Sequence, residues 1–210
     1  MVAARLFDPP FGEQLAVSPA RADGDQRIVL NGLTWRDYCV LRELLGETGA
    51  RMTYLAGSLE LMSPGRLHED VKKRIARLLE LWALEHDVAL YGYGSVTLRL
   101  EARERGVEPD ECYAVGSPMA EYPDLALEVV VSHGGLDKLE VYRSMGVREV
   151  WRWDTGRIFV LVLAESGAYE ARAASVVLAG IDLESLARHA SNPDQHAALR
   201  AFWGEIRAGQ

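Results

Sequence analysis

Apolar residues recur along this chain with two different periods, and the change from one to the other marks its elements. Trp35, Tyr38, Leu41 and Leu45 are spaced as on one face of a helix, with Thr34 placed to cap it and Gly46 to stop it. Two short apolar runs, MTYLAG and SLELMS, meet at Gly57-Ser58, which predicts a hairpin ended by Ser63-Pro64-Gly65. From Arg66 to about His86 the helical period returns: Val71, Ile75, Leu78 and Trp82 share a stripe, and His68 lies on it in the first turn. SVTLRLE is extended, and after the charged turn EARERG so is VEPDECYAV. PDLALEVVVS is almost continuously aliphatic, the pattern of a central strand covered on both faces. A second strong helix is predicted from about Leu136 to Met145, stopped by Gly146, with Lys138, Tyr142 and Met145 on one stripe. REVWRWD and RIFVLVL are strands joined by a tight turn at Asp154-Thr155-Gly156. YEARAASVV is a last strand, and LESLARHA and HAALRAFWGEIRA are closing helices. The first ~30 residues, with Pro9, Pro10, Gly12, Pro19 and Gly24, predict an irregular arm or one edge strand.

This order of elements predicts an α/β (α+β) protein with a mixed central sheet flanked by helices. With 210 residues, 49% hydrophobic and 26% charged, the chain can bury a core without a disulfide or metal staple, and it is too apolar for wholesale disorder. No uncharged run approaches the ~18 residues that cross a bilayer, so no membrane is expected. Without an apolar leader, and with Cys39 and Cys112 too far apart to form a redox or metal pair, the expected location is the reducing cytoplasm. The net charge of −8 excludes binding a polyanion through the overall field, so nucleic acid would need a local basic strip or bound cations. The one basic cluster, Arg66, Lys72, Lys73, Arg74 and Arg77, is interleaved with Glu69, Asp70 and Glu80, as on a solvated helix face.

Candidate chemistry sits in Glu108-Pro109-Asp110, in Glu128 eighteen residues after Asp110, and in Lys138. Two carboxylates on adjacent strands can hold a hard cation such as Mg²⁺, and a nearby lysine can orient water and offset charge on a phosphoryl group. Strand alternation puts Glu128 on one face with Asp124, Ala126 and Val130, where a carboxylate is costly to bury unless a cation or hydrogen bonds satisfy it. Carboxylates gathered in an apolar pocket repel each other. On that ground a divalent cation should raise stability, and Asp110→Ala should slightly stabilise the metal-free protein.

The stretches LAGSLELMSPGRLHEDV, VEPDECYAV, YPDLALEVVVS and KLEVYRSMGVREVWRWD, in that order, resemble the Uma-type restriction endonuclease family of the PD-(D/E)XK nuclease superfamily. The likeness runs from Thr34 to Asp154. It implies a restriction-endonuclease-like core, with an N-terminal arm at 1–33, the main domain at 34–180 and C-terminal helices at 181–210 packed on the same domain. It also implies that Asp110 and Glu128 hold Mg²⁺ or Mn²⁺. Val130 stands where the superfamily places a lysine, and Lys138, four residues before Tyr142, takes that role. His68 stands where the first helix of the superfamily often carries a glutamate, and Glu60 matches another acidic position near the site. The expected activity is metal-dependent cleavage of nucleic acid, DNA first, by a homodimer; the alternative is an inactive member acting as a binding or assembly protein. One departure concerns the loop after the central strand. Family members commonly have Ser-Pro-Ser there and an aspartate four residues before the lysine, whereas this chain has Val131-Ser132-His133-Gly134.

Overall fold

A computed structural model describes residues 24–46, 48–131 and 134–209. Of the expected arm, residues 1–23 lie outside the described ones, and the rest supplies an edge strand, β1 (Gln26–Asn31). Helix α1 (Trp35–Leu45) starts as its spacing predicts: the Thr34 hydroxyl accepts from the Asp37 N–H at 3.2 Å, and the Asp37 carboxylate accepts from the Thr34 N–H at 2.8 Å. The predicted hairpin is β2 (Arg51–Leu55) and β3 (Ser58–Ser63), and the long amphipathic helix is α2 (Arg66–Glu85). Then follow three short strands, β4 (Leu90–Gly92), β5 (Leu98–Leu100) and β6 (Arg105–Val107). The central region holds β7 (Glu111–Val115), β8 (Leu125–Val130), α3 (Lys138–Met145), β9 (Glu149–Asp154) and β10 (Arg157–Leu163). Strand β11 (Tyr169–Arg172) and helices α4 (Leu183–Ala190) and α5 (Gln195–Ala208) complete the order.

The mixed α/β class is as expected, but the strands form two sheets instead of one. The first runs β1-β3-β2-β6-β5 and is antiparallel throughout. The second runs β11-β10-β9-β8-β7-β4, and β8–β9 is its parallel pair, as a crossover through α3 requires. VEPDECYAV, continuous as a pattern, is cut between the sheets: Val107 ends in the first and Glu111 begins the second. Pro109 brings no N–H to a ladder. Glu108 is held to the first sheet, where its carboxylate accepts from Arg42 at 2.9 Å, the Met52 N–H at 2.9 Å and the Thr97 hydroxyl at 2.5 Å.

Layering follows from strand alternation. In β2, Met52 and Tyr54 join Tyr38 and Leu59 in a core under α1, so Arg51 and Thr53 face the second sheet. On the second sheet, Leu127, Val129, Trp151 and Val160 pack against Val71, Ile75, Leu186 and Phe202 of α2, α4 and α5. The opposite face presents Ala126 and Val150 to Val141 and Tyr142 of α3 and to Leu98 and Val107 of the first sheet. Burial on both faces is the reason β8 has no hydrophobic alternation. Trp151 and Trp153 are core residues. The basic cluster splits: Lys72 pairs with Glu69 at 2.6 Å, while Arg74 bonds the Asn192 carbonyl in the turn after α4 and Arg77 the Gln195 side chain at the start of α5. Cys39 and Cys112 are both free. Among the described residues, no helix is long and apolar enough to cross a membrane.

One close approach fixes the seat of α1. A Cβ on Gly106 would stand 2.4 Å from the Tyr38 hydroxyl, so β6 passes the buried ring only because this residue is glycine. Gly106→Ala is expected to cost about 1–3 kcal/mol by overpacking. Urea denaturation checks this, and an unchanged midpoint would mean that the ring moves aside freely.

Candidate active site

Asp110 is the residue at which the chain passes from the first sheet to the second. One step beyond the β7–β8 ladder, which ends at Glu111↔Leu127, it stands opposite Glu128. Its side chain is fully buried and heavily engaged. Oδ2 accepts the Val129 N–H at 2.6 Å and lies 2.9 Å from His68 Nε2, and Oδ1 accepts from Arg51. The buried His68 ring, in the first turn of α2, has its other nitrogen 3.1 Å from the Asp25 carboxylate. Asp25 also accepts the Gly65 N–H at 3.0 Å. Burial alone would raise the Asp25 pKa, but the bonds from His68 and Gly65 outweigh it and leave the carboxyl below its ordinary value. Arg51 continues the network to Glu69 at 2.5 Å.

Glu128 projects from β8 on the α3 side. Lys138, the first residue of α3, donates to its Oε2 at 2.6 Å, and Tyr142, one turn further on, donates to Oε1. Burial, then the negative charge of Glu128, pushes the Tyr142 phenol well above its ordinary pKa, so the hydroxyl stays a donor. Beside it in β7, burial pushes the Cys112 thiol up to about 12, consistent with a small apolar filler. Asp124 stays outside: it accepts the Val115 N–H at 2.9 Å and pairs with Arg148 at 3.3 Å.

Asp110, Glu128, Lys138 and Glu60 all line one cavity of about 210 Å³, together with Arg27, Arg152, Tyr142 and an apolar wall that includes Val129, Leu136 and Leu161. His68 stands behind Asp110, outside that lining. Glu60, on β3, is turned to the loop that leads into α3: its Oε2 accepts the Leu136 N–H at 2.7 Å. In that loop, Ser132 and His133 lie outside the described residues. Among the described residues, no three His, Cys, Asp or Glu side chains cluster closely enough to cage a cation. Asp110 and Glu128 are hard oxygen donors of the type a cation such as Mg²⁺ takes, and each of their oxygens already accepts from a protein donor, so a cation would have to share or displace those partners.

Sequence reasoning missed Asp25, Arg27 and Arg51. Arg51 opens an apolar strand, where a buried guanidinium asks for a partner. Asp25 and Arg27 carry no local signal; their roles follow from the docking of β1 beside β3.

The fold and the cavity define a mixed α/β protein with opposed acidic residues and a lysine at one cleft. Residues 35–189 match the family model Uma2, described as "Putative restriction endonuclease", and the chain belongs to that family. A similar solved structure is described as that of "a putative nuclease belonging to DUF820" from Anabaena variabilis ATCC 29413. It shares 13% identity over 72% of this chain and 90% of its own, with a TM-score of 0.45. Among proteins of curated function, none matches the chain.

Proposed function

We propose that the chain is a metal-dependent endonuclease that hydrolyses phosphodiester bonds in nucleic acid, DNA first. One observation carries the reading: Asp110, Glu128 and Lys138, from a sheet crossing, a strand and a helix start, line the same cavity. Asp110 and Glu128 would hold Mg²⁺ or Mn²⁺. A divalent cation, when bound, supplies positive charge for phosphoryl oxygens and an acidified water. The chain's own residues do the positioning. His68 and Arg51 hold Asp110 from behind. Tyr142 holds one oxygen of Glu128 and thereby its rotamer. Lys138, kept at the cavity by Glu128, can donate to an attacking water or to the scissile phosphate. Leu136 and Leu161 add apolar surface to the wall, which lowers the local dielectric and so favours each of these interactions.

The reading carries its companions: a main domain at 34–180, the helices of 181–210 packed on it, a cytoplasmic setting, and a two-fold homodimer to cut both strands. The test is nicking of supercoiled plasmid with purified protein, with and without Mg²⁺ or Mn²⁺. Metal-dependent nicking that EDTA abolishes supports it. Plasmid retained but never cut, at any metal concentration that raises thermal stability, selects the inactive binding protein instead. The acidic total charge and the altered 131–134 loop favour that second reading.

A further inference from the structure

Lys138 is the first residue of α3, so its aim depends on the loop before it, and that loop is pinned from the other sheet. In the β1–β3 ladder, Arg27 lies opposite Met62 and Val29 opposite Glu60, which puts Arg27 and Glu60 on one face as diagonal neighbours. From there Arg27 reaches three ways. Nε lies 3.1 Å from Glu60 Oε1, one terminal nitrogen donates to the Gly134 carbonyl at 2.5 Å, and the other lies 3.5 Å from the Met62 sulfur. Glu60, 2% exposed, turns its second oxygen to the Leu136 N–H. Between these anchors Gly135 has φ +103°, and a Cβ there would stand 2.1 Å from Glu60 Oε2. The backbone comes this close only because the residue is glycine. Leu136 is then followed by Asp137, which caps α3 through the Leu139 N–H at 3.0 Å, and by Lys138.

We infer that Arg27 and Glu60 are positioning residues: a latch between β1, β3 and residues 134–136 that aims Lys138 at Glu128 and the cavity. Glu60 thus acts through the loop, not as a metal ligand, with one oxygen on Arg27 and the other on the loop N–H. The edge strand is then part of the site's construction. Its consequence for catalysis rests on the endonuclease reading, whereas its consequence for the lysine does not.

The test therefore has two arms, run on Gly135→Ala, Arg27→Met, Arg27→Lys and Glu60→Gln. In the first, metal-free protein is treated with an amine-acylating reagent and modification of Lys138 is followed by mass spectrometry. Lys138 is expected to react several-fold faster in Gly135→Ala, Arg27→Met and Glu60→Gln, and at an intermediate rate in Arg27→Lys, which keeps the charge but not the fork. In the second, plasmid nicking should show kcat lowered about 10–100-fold with KM within about twofold, the pattern of a misplaced group. Mn²⁺ affinity by calorimetry should be unchanged in all four. Gly135→Ala alters no charge, and Arg27 is partly exposed, so at least one variant is expected to fold. Wild-type labelling and kcat in Gly135→Ala and Arg27→Met would overturn the latch. A loss of Mn²⁺ affinity in Glu60→Gln would overturn it too, by making Glu60 a ligand. A wild type that never nicks DNA sinks the endonuclease reading, and the labelling arm then decides the latch alone.

Discussion

Lys138→Ala is expected to lower plasmid nicking by about 100-fold or more, the scale of a lost proton donor or phosphate-stabilising charge, while leaving the response to metal intact. Metal that binds only the folded protein stabilises it by about 2.7 kcal/mol at a hundred times its Kd. For a chain of this size that is a rise in melting temperature of about 5–10 °C. Wild type and Lys138→Ala should both show the rise, since the ammonium is not a ligand. Asp110→Asn should lose both the rise and the cleavage. Differential scanning fluorimetry with 10⁻³ M-scale Mn²⁺ beside the nicking assay separates the cases. Equal metal responses in wild type and Asp110→Asn would mean that the candidate site does not bind the ion. Carboxylate crowding taken alone makes Asp110→Ala stabilising in the metal-free protein, but the surroundings reverse that sign. Arg51 and His68 face Asp110 in a buried setting, and removing the carboxylate leaves the Arg51 guanidinium against the His68 ring, with Glu69 as its remaining ion-pair partner among the described residues. Breaking such a pair typically costs about 3–5 kcal/mol.

The other large effect lies away from the cavity. Glu149, fully buried at the start of β9, accepts from Trp151 Nε1, the Ser175 hydroxyl at 2.6 Å, and the Val176 and Val177 N–H groups at 2.8 and 3.1 Å. It ties the irregular segment after β11 onto the second sheet, and Leu178 and Ile181 of that segment then join the core. Glu149→Ala leaves four donors without their acceptor, and the expected loss is about 3 kcal/mol or more. That corresponds to a fall of about 6–12 °C in melting temperature. Glu149→Gln keeps one acceptor oxygen but turns an NH₂ toward donors, so it should recover only part of the loss. A change below about 1 kcal/mol in Glu149→Ala would show that water replaces the carboxylate without cost.

How far the sequence carries depends on the range of the interactions involved. Thr34, the 66–86 periodicity and Gly146 act within one or two turns of the chain, and the helices they predict are there. PDLALEVVVS lacked alternation because both faces of β8 are covered, which is a local record of a tertiary fact. Glu128 stood out for the same reason, as an acid in an apolar strand. Asp110 did not stand out by itself, because a Pro-Asp pair is also an ordinary turn. YEARAASVV has the composition of one strand, yet only Tyr169–Arg172 pairs with β10, and further on Val176 and Val177 give their N–H groups to the Glu149 carboxylate instead of to a ladder.

By itself, then, the sequence determined the helices, the hairpin, the mixed α/β class, the exclusion of a membrane-crossing run, and a short set of chemically costly residues, because each of these is written in neighbouring positions. Only the tertiary structure decided that there are two sheets, with VEPDECYAV cut between them at Pro109. It also decided that Asp110 faces Arg51 and His68, and that Asp25, just before the edge strand, and Arg27 within it reach the site. The physical reason is that a charge's partner depends on which strands lie side by side. That pairing is settled by burial of whole faces, which no local pattern of residues contains.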